Sequence, residues 1–220
     1  MQAEKNKLTV GGLFSGVGGF ELGFEKTGFI TKWAVENDPY AAQTYRLNFP
    51  KHQLLERDIR EISIKEIQQL KNINVLLAGF PCQAFSIAGY RKGFKDPRGN
   101  LFDEIIKFVE NFKKKPEVIV LENVKNFFSH DDKKTWNYVK KAIKDNGYSQ
   151  IPLLLNTSTS TGIPQNRERA YIVCFQNESE ISYQIQHLHI DGKAARNEFD
   201  YFPDSKSSSF LKVFKKNLIQ

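Results

Sequence analysis

Short apolar runs that alternate with amphipathic stretches constrain this chain more than any other feature. The runs lie near residues 8–14, 32–36, 74–79, 117–122, 149–155 and 169–175, and a further short strand is read in Arg57-Asp58-Ile59. The stretches near 18–27, 39–48, 63–71, 100–113 and 133–146 read as helices. This alternation predicts an α/β fold, a Rossmann-like, mostly parallel sheet with helices on both faces. Open sheets of that kind hold their chemistry beyond the carboxyl ends of the strands. The residues that follow each strand are therefore the ones to read for function.

With 220 residues the chain is long enough for one domain with a sizeable core. Its hydrophobic content of 40% and charged content of 26% are those of a soluble globular protein. No apolar run approaches the ~20 residues that span a membrane, and the polar start, Met1 to Lys7, lacks the apolar segment of a signal peptide. Two cysteines, Cys82 and Cys174, argue against a disulfide framework and for a reducing compartment. No metal-ligand spacing appears, so no metal is expected. The net charge of +7 favours an anionic partner, nucleic acid first. Solvated lysine-rich helix faces such as Lys113-Lys114-Lys115 would give the same charge.

Phe14-Ser15-Gly16-Val17-Gly18-Gly19 follows the first strand and opens a helix. Glycines let backbone turn tightly and approach a ligand. Glu36, with Asn37 after it, ends the second strand, where a carboxylate can accept ribose hydroxyls. Asp58 could accept the amino group of an adenine, and Ile59 could flank the ring. Together they favour an adenosine ligand over a plain tight turn. A dinucleotide fits less well, because Glu21 interrupts the G-x-G-x-x-G spacing.

Gly79-Phe80-Pro81-Cys82-Gln83-Ala84-Phe85-Ser86 places a thiol just past an apolar strand. A lone cysteine there is either an inert small hydrophobe or a nucleophile. Residues 87–99 form a Gly-rich, cationic loop carrying Arg91, Lys92, Lys95 and Arg98, long enough to act as a lid. Glu122-Asn123-Val124 ends another strand, and partial desolvation there raises a carboxyl pKa. Such an acid can protonate or hydrogen-bond a ring nitrogen, or simply cap the next helix. In Gln165-Asn166-Arg167-Glu168-Arg169, extended backbone projects Arg167 and Arg169 to one side. They suit a phosphate, a carboxylate or a pyrimidine carbonyl, or else ion pairs with Glu168 and surface acids.

In this order, across roughly residues 8–176, these motifs resemble a bacterial C5-cytosine DNA methyltransferase of restriction–modification type. The resemblance implies S-adenosylmethionine as cofactor and double-stranded DNA as partner. It implies that Cys82 attacks C6 of a flipped cytosine and that Glu122 assists at N3. Arg169 would bind the cytosine O2, with Arg167 in support, and Asn123 would hold the backbone around Pro81. Phe14, Gly16, Gly18, Gly19, Glu36, Asn37, Asp58, Ile59, Pro81 and Leu101 would line the cofactor site. Gln83, Ser86, Arg91, Lys92 and Arg98 would belong to a lid that folds over DNA. A flipped base is required because stacking shields C6, and addition at C6 is what makes C5 nucleophilic.

The same resemblance leads us to expect a target-recognition domain and two further motifs that residues 177–220 are too few to contain. Residues 1–176 are thus read as the catalytic, cofactor-binding domain and 177–220 as a linker or the start of the recognition region. Either the chain is truncated or a second polypeptide supplies the remainder. The competing readings are an accessory subunit that is inactive without that partner, and a nucleotide-dependent oxidoreductase on a similar sheet. The expected location is the bacterial cytoplasm, associated with the nucleoid, with no membrane contact.

Overall fold

A computed structural model describes residues 7–81 and 101–176. Cys82, the loop residues Gln83, Ser86, Arg91, Lys92, Lys95 and Arg98, and the whole of 177–220 lie outside the described residues. The chain divides into two compact units, with the boundary between Leu121 and Glu122.

The first unit contains β1 (Thr9–Leu13), α1 (Gly19–Glu25), β2 (Ile30–Glu36), α2 (Pro39–Asn48), β3 (Gln53–Glu56), a 3-10 turn (Ile59–Glu61), α3 (Ile64–Gln69), β4 (Val75–Gly79), α4 (Leu101–Asn111) and the start of β5 (Val118–Val124). Its strands hydrogen-bond in the order β3-β2-β1-β4-β5. The β1/β2, β1/β4 and β2/β3 pairs are parallel, as the strand–helix alternation predicts. Parallel strands are covered on both faces, and Val75, Leu76, Leu77 and Ala78 of β4 are accordingly fully buried. Register decides what comes next. Leu13 pairs with Val35 on one side and Ala78 on the other. The turn at Phe14, the carboxylate of Glu36 and the exit of β4 through Phe80 and Pro81 therefore emerge at one edge.

Local sequence explains how the helices attach. α2 starts at Asp38, whose side chain accepts the Ala41 N–H, with Pro39 in its first turn. α3 carries a reciprocal Ser63/Glu66 capping box. α4 buries Phe102, Ile105, Phe108 and Val109, a helical stripe. Trp33 packs near Phe108 and Phe112, and a Cβ at Gly11 would overlap its ring.

The second unit contains the end of β5, a 3-10 turn (Lys125–Phe128), α5 (Lys134–Asp145), β6 (Tyr148–Asn156), α6 (Thr157–Thr161) and β7 (Glu168–Gln176). Its core includes Phe127, Phe128 and Trp136, packed edge to face. β6 and β7 pair antiparallel from Tyr148↔Gln176 to Asn156↔Glu168.

One reading of the sequence needs correction, and one element was not foreseen. The third strand ends at Glu56, so Asp58 and Ile59 lie beyond it. Asp58 instead caps the 3-10 turn by accepting the Arg60 N–H, which competes with continued strand pairing. Residues 157–161 are helical, although Thr-Ser-Thr-Ser-Thr has little helical propensity. The Asn156 side chain starts that turn by accepting the Ser158 N–H, and Gly162 ends it at φ 76°.

Candidate functional site

The Gly-rich turn after β1 adopts a conformation that only part of its sequence suits. Phe14, Gly16 and Gly18 all have positive φ, at 57°, 55° and 92°. Phe14 is the costly one, because a bulky residue is held there only by its surroundings. Those surroundings are visible. Ser15 N–H donates to the Val35 carbonyl at 3.1 Å, and Gly18 N–H to the Ser15 carbonyl at 2.9 Å. A Cβ at Gly18 would overlap the Phe49 ring, so α2 and the residues just after it press directly on the turn. Gly16 and Gly19, by contrast, face open space.

Glu36 locks this turn to the end of β2. Gly16 N–H donates to Glu36 Oε2 at 2.6 Å, while Asn37 N–H and Asp38 N–H donate to Oε1 at 2.9 and 2.8 Å. A carboxylate offers about four lone-pair sites. Accepting both hydroxyls of a ribose would therefore require sharing one with a backbone N–H. Asp58 is engaged as well: Arg60 Nε and an Arg60 terminal nitrogen donate to its two oxygens at 2.9 and 2.5 Å. The Arg60 guanidinium holds the Asp58 carboxyl below its usual range. With the Arg60 N–H as a third donor, Asp58 keeps about one spare acceptor site, and Ile59 beside it is buried. Pro81 is exposed at the end of β4, and Leu101 is half-buried at the start of α4.

The second unit gathers the other candidates. Arg169 Nε sits 3.0 Å from Glu122 Oε1, with both side chains about four-fifths covered. Burial raises the Glu122 pKa above its ordinary value, and Arg169 and then Arg167 oppose the rise. Arg167 precedes β7 and is exposed, while its carbonyl accepts the Thr157 N–H at 3.0 Å. Arg169 donates from a terminal nitrogen to the Glu168 backbone carbonyl at 2.8 Å, while the Glu168 carboxylate takes Lys125 at 2.7 Å. Nor does Glu122 cap a helix: the following 3-10 turn begins after Val124, where no side chain caps it. Asn123 is buried, and its side-chain oxygen accepts the Val124 N–H at 2.8 Å. Tyr171 lies two residues along β7 from Arg169, and its phenol pKa is raised by burial first and then by Glu122.

Sequence reasoning missed Glu21, Arg60 and Tyr171. Arg60 had a readable signal, since it lies two residues from Asp58. Glu21 counted only as a break in a glycine pattern, yet it is fully buried. Among the described residues no cluster of three or more His, Cys, Asp or Glu could hold a metal ion. No helix there is long and apolar enough to cross a membrane.

Comparison with known proteins identifies a family. A family model described as C-5 cytosine-specific DNA methylase matches residues 8–217. The chain is 48% identical over 172 residues to the type II methyltransferase M.Bsp6I of Bacillus sp., covering 77% of this chain and 53% of that protein. It is 44% identical over 169 residues to the type II methyltransferase M.HhaI of Haemophilus parahaemolyticus, covering 77% and 49%. Among solved structures, a mutant of Spodoptera frugiperda DNMT2 superposes with a TM-score of 0.64 at 27% identity, covering 79% of this chain and 51% of that one. The chain thus spans about half the length of these relatives.

Proposed function

The chain belongs to the C-5 cytosine-specific DNA methylase family, and from that premise we propose that it is the catalytic portion of a DNA (cytosine-5)-methyltransferase of a restriction–modification system. The observation that carries this reading is the Glu122–Arg169 pair. It sets a half-buried carboxyl with a raised pKa at a strand end, beside a guanidinium in contact with it. That is an arrangement able to engage a ring nitrogen and a carbonyl oxygen of one base.

S-adenosylmethionine, when bound, supplies the methyl group as an electrophile. The first unit fits it: Gly16 and Gly19 leave room for a ligand's close approach, and Glu36 and Asp58 keep acceptor capacity. On this reading Phe14, Gly16, Gly18, Gly19, Glu36, Asn37, Asp58, Ile59, Pro81 and Leu101 hold the cofactor. Cys82 adds as a thiolate to C6 of a cytosine taken out of the duplex. Glu122 donates a hydrogen bond or proton at N3, which stabilises charge as the C–S bond forms. Arg169 donates to O2, supported by Arg167. C5 would take the methyl of bound S-adenosylmethionine with cleavage of the S–CH3 bond, the donor leaving as the neutral thioether; the C5 proton would pass to solvent and the Cys82 thiolate would leave C6, restoring the aromatic base. On the same reading Gln83, Ser86, Arg91, Lys92 and Arg98 contribute contacts to DNA.

Residues 1–176 act as the catalytic domain on this proposal, with 177–220 leading toward a recognition region. The expected location is the cytoplasm, on the nucleoid.

The test is tritiated methyl transfer to DNA with Glu122→Gln, run with and without a recognition-domain chain. A glutamine keeps the shape but cannot give a proton, so turnover should fall by about 10²-fold or more. Wild-type turnover in the variant would remove Glu122 from the reaction.

A further inference from the structure

Beneath the Gly-rich turn lies an acid that the proposed reaction does not use. Glu21, in the first turn of α1, is 0% exposed. Neither of its oxygens has a hydrogen-bond partner, and the same holds for Ser15 Oγ beside it. Both side chains stand over Gly12: a Cβ there would overlap the Glu21 carboxyl and meet Ser15 Oγ at 2.6 Å. A glycine in β1 thus makes room for a carboxyl tucked behind the turn. An unpaired buried carboxyl is expensive and is expected to have a cause.

The groups around it are acidic. Glu25 lies one turn further along α1, Glu36 ends β2, and the Tyr45 phenol of α2 is also coupled to Glu21. His52 joins Glu25 and Tyr45, with Nε2 at 2.8 Å from Glu25 Oε1 and Nδ1 at 3.0 Å from the Tyr45 hydroxyl. Burial, reinforced by Glu25 and Glu36, raises the Glu21 pKa; the Ser15 hydroxyl, near but not in hydrogen-bonding geometry, and the Glu21 backbone N–H oppose the rise. Among the described residues, the side chains named around Glu21 are thus acids, a phenol and the His52 imidazole, which Glu25 and Tyr45 engage.

We propose that the Glu21 carboxyl is a specificity-determining charge that favours a cationic ligand at this turn, and so separates the sulfonium methyl donor from its neutral thioether product. The inference rests on the reading that S-adenosylmethionine occupies the first unit. It needs no contact between Glu21 and the ligand, because charges interact strongly across a dry wall. A fully buried carboxyl without a partner favours its neutral, protonated form in the free protein. A sulfonium at the turn stabilises the carboxylate, and the proton leaves to solvent. S-adenosylhomocysteine lacks the sulfonium, so it does not draw Glu21 toward the carboxylate form and the product is held less tightly. Donor binding and proton release are then reciprocal.

The test is calorimetry of the 220-residue chain with each ligand in two buffers of different ionisation enthalpy. At about pH 6 the ligand amino group is protonated in both ligands and does not contribute. The expected result is release of up to about one proton with S-adenosylmethionine and little with S-adenosylhomocysteine. Glu21→Gln should abolish the buffer dependence and lower the donor-to-product affinity ratio by about five-fold or more. The wild-type comparison stands alone if the variant fails to fold. Equal release with both ligands, or release that persists in Glu21→Gln, overturns the inference. Binding of both ligands without any release overturns it and leaves the cofactor reading intact. No binding of either ligand overturns the cofactor reading and this inference with it.

Discussion

At the scale of single residues, this protein places unfavourable chemistry where a ligand is proposed to bind. Phe14 is held in a left-handed conformation, Glu21 is buried without a partner, and Glu122 is half-buried beside one guanidinium. Glu21 has a consequence for stability. Its folded-state pKa lies above the ordinary 4.5, so its contribution is fully present below that pH and is lost as pH rises through the folded value. Glutamine does not titrate. The stability advantage of Glu21→Gln over the wild type should therefore grow as pH rises above 4.5 and then level off. Urea midpoints across that range give the answer, and a constant offset would mean that Glu21 titrates normally. Gly18 allows a simpler prediction. Alanine there must adopt φ 92° and overlap Phe49. Gly18→Ala should cost at least about 1–3 kcal/mol from backbone strain, and an unchanged urea midpoint would show that the turn relaxes freely.

At the scale of elements, α2 does most to hold the turn. Tyr45 is one of its buried residues and Phe49 is its C-cap, and the two rings pack 4.9 Å apart. The Tyr45 hydroxyl meets His52, which in turn reaches Glu25 of α1. Both helices beside the turn are thus tied through one imidazole. The start of α2 is set by Asp38, which accepts the Ala41 N–H at 2.8 Å and donates its own N–H to Glu36. Asp38→Ala should destabilise the first unit by about 1 kcal/mol, the usual cost of losing an N-cap. Because the Asp38 N–H to Glu36 bond is made by backbone, cofactor affinity should fall less than it does in Glu36→Ala. Equilibrium binding of S-adenosylmethionine to both variants compares them. An Asp38→Ala loss as large as that of Glu36→Ala would mean that the cap, and not the carboxylate, sets the site.

At the scale of the whole molecule, the two cysteines make a matched experiment. Cys174 is fully buried in β7, and burial pushes its thiol far above the ordinary range. It therefore behaves as a small apolar side chain. Cys174→Val should leave methyl transfer essentially intact, whereas Cys82→Ser should abolish it while cofactor binding persists. The readout is tritiated methyl incorporation, completed by binding calorimetry. Residual turnover in Cys82→Ser near the wild-type level would exclude the thiol from the reaction.

The sequence by itself determined the strand–helix alternation, the parallel half of the strand pairing and the order of the motifs. Hydrophobic period and glycine placement are local properties, and they survive in a single chain read from end to end. It also put Glu36 and Glu122 toward the carboxyl ends of their strands, because an acid after an apolar run marks where a buried strand approaches its end. Only the tertiary structure decided what these acids touch. That Glu36 takes three backbone N–H groups, that Asp58 is engaged by Arg60, and that the Glu168 carboxylate pairs with Lys125 all depend on register and side-chain reach. Glu21 is the clearest case. In the sequence it is a charged residue interrupting a glycine pattern, and charged residues near helix starts are usually solvated. Its burial follows from parallel strands that place Gly12 beneath it and from α2 packing on the turn, and no local pattern encodes either.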